Sequence, residues 1–178
     1  MKYKLNDFLI DGFKAKILAK KYSTPLYCYS LKKIKENIKN FQKSFKLIDP
    51  LVCFAVKANP NKVILRQMGK LGLGADVVSI GELMKALKSG IKPNKIVFSG
   101  VGKTSYELTY AIKKNILLIN AESKSEILEI ERIAKIKKKK VNVGVRLNPN
   151  TDAKTLSQIS TGKKENKFGI PEKDLLNI

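Results

Sequence analysis

Leu51-Val52-Cys53-Phe54-Ala55-Val56-Lys57-Ala58-Asn59-Pro60 opens the stretch that decides the fold. Its first six residues are a continuous apolar run, the pattern of a strand covered on both faces, and Asn59-Pro60 stops it. The same unit then recurs: a helix over 61–70, a strand over 75–78, a helix over 81–88, a strand over 96–98 and a helix over 106–114. A strand over 117–119, a helix over 125–136 and a strand over 141–147 continue the alternation. Ser105, Ser123 and Ser125 offer N-cap oxygens, while Gly72 and Gly90 offer C-terminal stops. Short apolar strands alternating with helices predict an α/β protein with about five parallel strands.

Upstream, apolar positions over 9–21 recur at helical spacing, and Leu26-Tyr27-Cys28-Tyr29 reads as a short strand after Thr24-Pro25. Leu31, Ile34, Ile38, Phe41 and Phe45 then mark one buried face of a lysine-rich helix ended by Asp49-Pro50. Downstream, Pro171 occupies the first position of a helix that runs toward Ile178. A (β/α)8 barrel needs eight strands and about 250 residues. The expectation is therefore an incomplete TIM-like barrel whose chain continues past Ile178, and whose open sheet edge makes these residues alone prone to aggregate. The alternative is a complete small doubly wound sheet, although no GxGxxG or GxxxxGK[ST] phosphate loop follows any strand.

Composition narrows the chemistry. The 178 residues carry 36 Lys+Arg against 15 Asp+Glu, a formal net charge of +21, and no His. Catalysis that needs imidazole, such as a Ser/His/Asp triad or a His-bound metal, cannot be completed here, and no metal site is expected. The two cysteines, Cys28 and Cys53, lack metal or disulfide spacing and read as small buried residues. No leader and no apolar run long enough to span a membrane is present, so a cytoplasmic protein without a membrane partner is expected. The positive charge could attract nucleic acid, but it is spread as lysine, with only Arg66, Arg132 and Arg146 as arginines and few aromatics. No specific nucleic-acid partner is expected, and Lys137 to Lys140 reads as a solvated turn.

Lys57 is the most informative position. An ammonium at the mouth of an apolar strand is expected to be partly desolvated, which favours the free amine that Schiff-base chemistry uses. The bland reading is a strand-end lysine reaching water. Arg146, after the apolar run 141–145, would bring a fixed cation to the same end of the sheet. The bland reading of Asp76 is a helix-capping aspartate.

Phe54-Ala55-Val56-Lys57-Ala58-Asn59 resembles the cofactor-lysine motif of the alanine-racemase-like pyridoxal-phosphate decarboxylases that act on ornithine, arginine and diaminopimelate. Gly72-Leu73-Gly74-Ala75-Asp76-Val77-Val78-Ser79 with Gly81-Glu82-Leu83, and Phe98-Ser99-Gly100-Val101-Gly102-Lys103-Thr104, match further motifs in order. Arg146-Leu147-Asn148-Pro149-Asn150, Ile159-Ser160-Thr161-Gly162 and Lys164-Glu165-Asn166-Lys167-Phe168-Gly169-Ile170 are similar to the diaminopimelate branch.

The resemblance implies pyridoxal 5'-phosphate held as a Schiff base on Lys57, with Asp76 and Arg146 at the cofactor. It implies Ser160 in a backbone-fixing loop and Lys167 near a subunit contact. The activity implied is decarboxylation of meso-2,6-diaminopimelate to L-lysine by a homodimer. Residues 1–30 would be the helix and strand that associate with a carboxy-terminal β-domain absent here, and 31–178 a partial cofactor-binding barrel. The family's ring-stacking histidine, phosphate cup and pyridine-facing acid would lie beyond Ile178, so these residues alone are expected to be inactive. Leu156 stands where relatives often carry histidine, which removes any proton role there. Alternatives are an ornithine- or arginine-type decarboxylase, and a non-catalytic pyridoxal-phosphate-binding barrel.

Overall fold

The computed structural model describes residues 2–4, 6–45, 47–151, 154 and 168–175. Its contacts divide the chain after Pro50 into two compact units.

The first unit holds a three-stranded antiparallel sheet, β1 (Lys2–Lys4), β2 (Asp7–Ile10) and β3 (Phe13–Lys14), followed by α1 (Ala15–Tyr22) and α2 (Leu31–Lys43). The helix expected over 9–21 thus begins only at Ala15. Ile10 pairs with Phe13 across Asp11-Gly12, both at positive φ (48° and 93°), which is the two-residue hairpin turn that Asp-Gly favours. Leu26-Tyr27-Cys28-Tyr29, expected as a strand, joins no sheet among the described residues. The α2 helix forms where expected, but its apolar face is only half-buried and Phe41 is exposed, and Ser30 caps it by accepting the Lys33 N–H at 2.9 Å.

In the second unit five parallel strands pair in chain order: β4 (Cys53–Ala55), β5 (Gly74–Val77), β6 (Ile96–Phe98), β7 (Leu118–Ala121) and β8 (Val143–Val145). Between them run α3 (Lys62–Lys70), α4 (Ile80–Lys88), α5 (Ser105–Lys113) and α6 (Lys124–Lys137). A doubly wound sheet reverses its strand order at a switch point. This one winds in a single direction, as an arc of a β/α barrel does.

The middle strands, β5 to β7, bury one face completely. Ala75, Val77, Ile96, Phe98, Ile119 and Ala121 are fully enclosed together with the helix residues Leu65, Leu83 and Leu108. The alternate residues Asp76, Val97, Leu118 and Asn120 are only half-buried, so the continuous apolar runs cover one face fully and not two. The open face therefore has room for polar groups, and β8 leaves Val143 and Val145 exposed.

Capping fixes where the helices start, and so where the strand-to-helix loops point. Ser79 and Ser123 cap α4 and α6, whereas α5 is capped by Thr104 in a reciprocal box with Glu107. Ser105 and Ser125, expected as caps, instead sit within the first turns. Gly72 and Gly90, at φ 80° and 87°, end α3 and α4 as expected. The lysine run after α6 is more than a solvated turn. Lys138 takes the left-handed cap conformation, and the Lys139 ammonium donates to Asn115 Oδ1 at 2.6 Å and to the carbonyl of Lys113 at the end of α5.

Beyond β8, a short parallel pair joins β9 (Leu147–Asn148) to β10 (Ile170–Pro171), and α7 (Glu172–Leu175) follows. Pro171 pairs with Asn148 and precedes the helix, where the sequence suggested its first position. No helix among the described residues is long and apolar enough to cross a membrane.

Candidate active site

The carboxyl ends of the parallel strands surround a cavity of 740 Å³, lined by Lys57, Asp76, Ser99, Asn120, Glu122 and Arg146, with Gly100 and Phe168 at its edge. Lys57, Asp76 and Arg146 lie far apart in the chain. Parallel winding brings all three together, because every strand delivers its carboxyl end to the same side.

Lys57 sits in a single 3-10 turn, Val56–Ala58, directly after β4. Val56 is fully buried and anchors the turn, and the Asn59 N–H closes it on the Val56 carbonyl at 3.0 Å. Among the described residues no hydrogen bond or ion pair engages the Lys57 ammonium. The side chain belongs to an exposed residue, so the desolvation expected of a strand-mouth lysine is not supplied by the described residues.

Asp76 is on β5 and caps no helix. Its Oδ1 accepts the Ser99 hydroxyl at 2.6 Å, and Ser99 Oγ accepts from Asn120 Nδ2 at 3.1 Å. The chain of contacts crosses three adjacent strands or their ends and fixes the carboxylate in the cavity wall. Asn120 pairs in register with Gly144, where any Cβ would collide with Asn120 Oδ1. Burial, reinforced by the Asp76 charge and only partly offset by Lys95, pushes the Cys53 thiol above its ordinary value.

Arg146 lies between β8 and β9. Its Nη1 donates to Glu122 Oε1 at 3.0 Å, and the guanidinium stacks 4.8 Å from the centre of the Phe168 ring. Glu122 is buried, and its Oε2 accepts the Gly169 N–H at 3.0 Å. Behind it, Lys103 and Glu126 form a buried pair at 2.7 Å. Glu122, Glu126, Ser99 and Asn120 were not singled out from sequence. Ser99 lies inside the quoted 98–104 motif without a role of its own, and Ser123-x-x-Glu126 ahead of an apolar helix is a capping pattern that says nothing of the cavity. Ser160 and Lys167 lie outside the described residues, as does Leu156.

A free primary amine, a fixed carboxylate and a guanidinium around several hundred Å³ suit an aldehyde-bearing ring of pyridoxal phosphate size. No cluster of side chains that could hold a metal occurs among the described residues.

The comparisons agree with this geometry. A family model described as "Pyridoxal-dependent decarboxylase, pyridoxal binding domain" matches residues 31–177. A diaminopimelate decarboxylase of Helicobacter pylori strain J99 is 51% identical over 166 residues, which is 93% of this chain and 41% of the relative. The crystal structure of the H. pylori diaminopimelate decarboxylase complexed with L-lysine superposes with a TM-score of 0.86 at 49% identity, covering 91% of this chain and 41% of that one. The corresponding M. jannaschii enzyme in co-complex with L-lysine gives 0.87 at 42% identity, covering 97% and 41%. The chain thus spans about two fifths of the length of the relatives it matches. With the match extending from the start of α2 nearly to the last residue, and with its lysine, carboxylate and arginine gathered at the strand ends, the chain belongs to the pyridoxal-dependent decarboxylases through their pyridoxal-binding domain.

Proposed function

We propose that this chain is the cofactor-anchoring part of a decarboxylase that converts meso-2,6-diaminopimelate to L-lysine and carbon dioxide. The observation that carries the proposal is Lys57, an amine at the carboxyl end of β4 that no described residue engages and that shares one cavity with Asp76 and Arg146. The names of the similar proteins, and the L-lysine in two of the similar structures, support the substrate assignment over ornithine or arginine.

When bound, pyridoxal 5'-phosphate supplies an electron sink for the charge left as carbon dioxide departs. Lys57 Nζ is the atom that would hold the cofactor, through its primary amine. Asp76, with one oxygen committed to Ser99, lines the same cavity as Lys57 and would give its ammonium a partner. Arg146 supplies a cation held in one orientation by Glu122 and Phe168, suited to an anionic group on the cofactor or substrate. On the same reading the whole protein is a homodimer, residues 1–30 associate with a β-domain, and 31–178 form the cofactor-binding barrel segment.

The test is borohydride reduction of the protein with added pyridoxal phosphate, followed by peptide mapping. Stoichiometric label on Lys57, lost in Lys57→Ala, is the expected result. Label scattered over many of the lysines, or none, would overturn the assignment.

A further inference from the structure

We propose that Lys103 is a positioning residue that orients Arg146 through a buried relay, Lys103–Glu126–Glu122–Arg146. The proposal rests on the reading above only in that it gives the orientation of Arg146 a purpose.

Lys103 lies in the loop after β6 and its side chain is 1% exposed. A buried ammonium is costly unless all its protons are satisfied. Here each has an acceptor: the carbonyls of Gly100 and Asn120 at 2.6 and 2.7 Å, and Glu126 Oε1 at 2.7 Å. One cation therefore ties the loop after β6, the end of β7 and the first turn of α6. The second oxygen of Glu126 accepts the backbone N–H of Glu122 at 3.1 Å, which sets where the next side chain leaves the main chain. That side chain is the buried carboxylate that grips Arg146 with one oxygen and the Gly169 N–H with the other.

The order of charges explains why the relay holds together. Two buried carboxylates, Glu122 just ahead of α6 and Glu126 in its first turn, would repel each other, and each is matched by its own cation, Lys103 at one end and Arg146 at the other. Removing Lys103 leaves Glu126 unmatched beside Glu122. The carboxylate must then turn toward water and release the Glu122 N–H. Glu122 loses its fixed exit direction, and Arg146 and Gly169 lose theirs. A lysine that served only to fill the core would not have this reach, because its removal would loosen its own neighbours and not a backbone amide beyond two intervening glutamates.

The test uses the full chain and two substitutions, Lys103→Met and the near-isosteric Glu126→Gln, the second in case the first does not fold. Hydrogen exchange at the Gly169 amide is followed against amides in α3 as an internal reference. The relay predicts that exchange at Gly169 accelerates at least about tenfold while α3 is unchanged, the scale of one charge-assisted hydrogen bond. Lys103→Arg should restore most of the protection. Equal acceleration everywhere, or none at Gly169, would overturn the relay. A pyridoxal phosphate titration separates the two readings. If Arg146→Met weakens binding, Lys103→Met should add nothing in that background, and an additive loss would sink the relay alone. If Arg146→Met binds as tightly as the parent while Gly169 exchange still responds to Lys103→Met, the relay stands and the assignment of Arg146 to the cofactor fails.

Discussion

Gly74→Ala offers a sharp test of how the sheet is held, because the added methyl has nowhere to go. Gly74 opens β5 and pairs with Cys53 on β4, while Ala75, beside it, pairs with Ile96 on β6. A Cβ at residue 74 would overlap the Lys95 carbonyl oxygen and approach Cys53 Sγ to 2.7 Å. The first obstacle is backbone, so no rotamer change relieves it. The φ of Gly74 is one that alanine can adopt, so without the collision the substitution would stabilise by about 0.4–1 kcal/mol through the unfolded chain. Overpacking that forces backbone shifts costs about 1–3 kcal/mol, and an immovable carbonyl places this site at the upper end. The expected net loss is about 2 kcal/mol, or roughly 8 °C in Tm for a domain of this size. Urea unfolding followed by far-UV circular dichroism measures it. Cys53→Ala combined with Gly74→Ala removes only the sulfur contact and should recover less than about 1 kcal/mol, the scale of one lost methylene-sized clash. A Gly74→Ala protein as stable as the parent, or full rescue by the double substitution, would refute the reasoning. The change should also disturb the cavity, since Asp76 lies two residues along on the same face of the strand.

Two further predictions concern titration. Burial first, then the Asp76 charge, raises the Cys53 thiol above the ordinary 9.0, so alkylation of Cys53 by iodoacetamide should rise only in strongly alkaline solution. Asp76→Asn should move that profile to lower pH, and an unchanged profile would mean that the carboxylate carries no charge near the sulfur. For Glu107, burial favours the neutral acid, but the N–H groups of Thr104 and Ile80 and the Thr104 hydroxyl outweigh it and hold the carboxyl below the ordinary 4.5. A depressed acid contributes stability above its unfolded value and loses it as pH falls through the folded value. The stability difference between the parent and Glu107→Gln should therefore be constant above pH 4.5 and shrink below it, and a difference that grew on acidification would contradict the assignment.

Much of the architecture was legible in the chain. The alternation from Leu51 onward and the helix marked by Leu31, Ile34, Ile38 and Phe41 are local periodicities, and local periodicity survives in one dimension. The stretch over 9–21 was misread because Leu9, Ile10 and Phe13 fit a helical spacing as well as a hairpin. Asp11-Gly12, a turn signal in its own right, settled the matter only once strand pairing was visible. Winding direction also needed the structure, since alternating strands and helices can close into a barrel or reverse into a doubly wound sheet.

Lys57 and Arg146 could be named from the residues around them, because each follows an apolar run and carries a charge at its end, whereas Asp76 was named only through the resemblance of its motif. Their chemistry could not be weighed that way, and Lys57 proved exposed where its flanks suggested enclosure. The roles of the hydroxyl, amide and carboxylates that hold them were invisible, even for Ser99 and Lys103 inside a recognisable motif. Ser99, Asn120, Glu122, Glu126 and Lys103 each have an ordinary local explanation as a loop polar, a cap or a surface charge. Only the parallel register brings segments more than twenty residues apart within hydrogen-bonding distance, and it enclosed Lys103 and Glu126 so that their charges had to answer each other. Sequence determines which side chains are available at each strand end; the tertiary structure decides which of them meet, because meeting depends on register and burial, and both are properties of the assembled sheet.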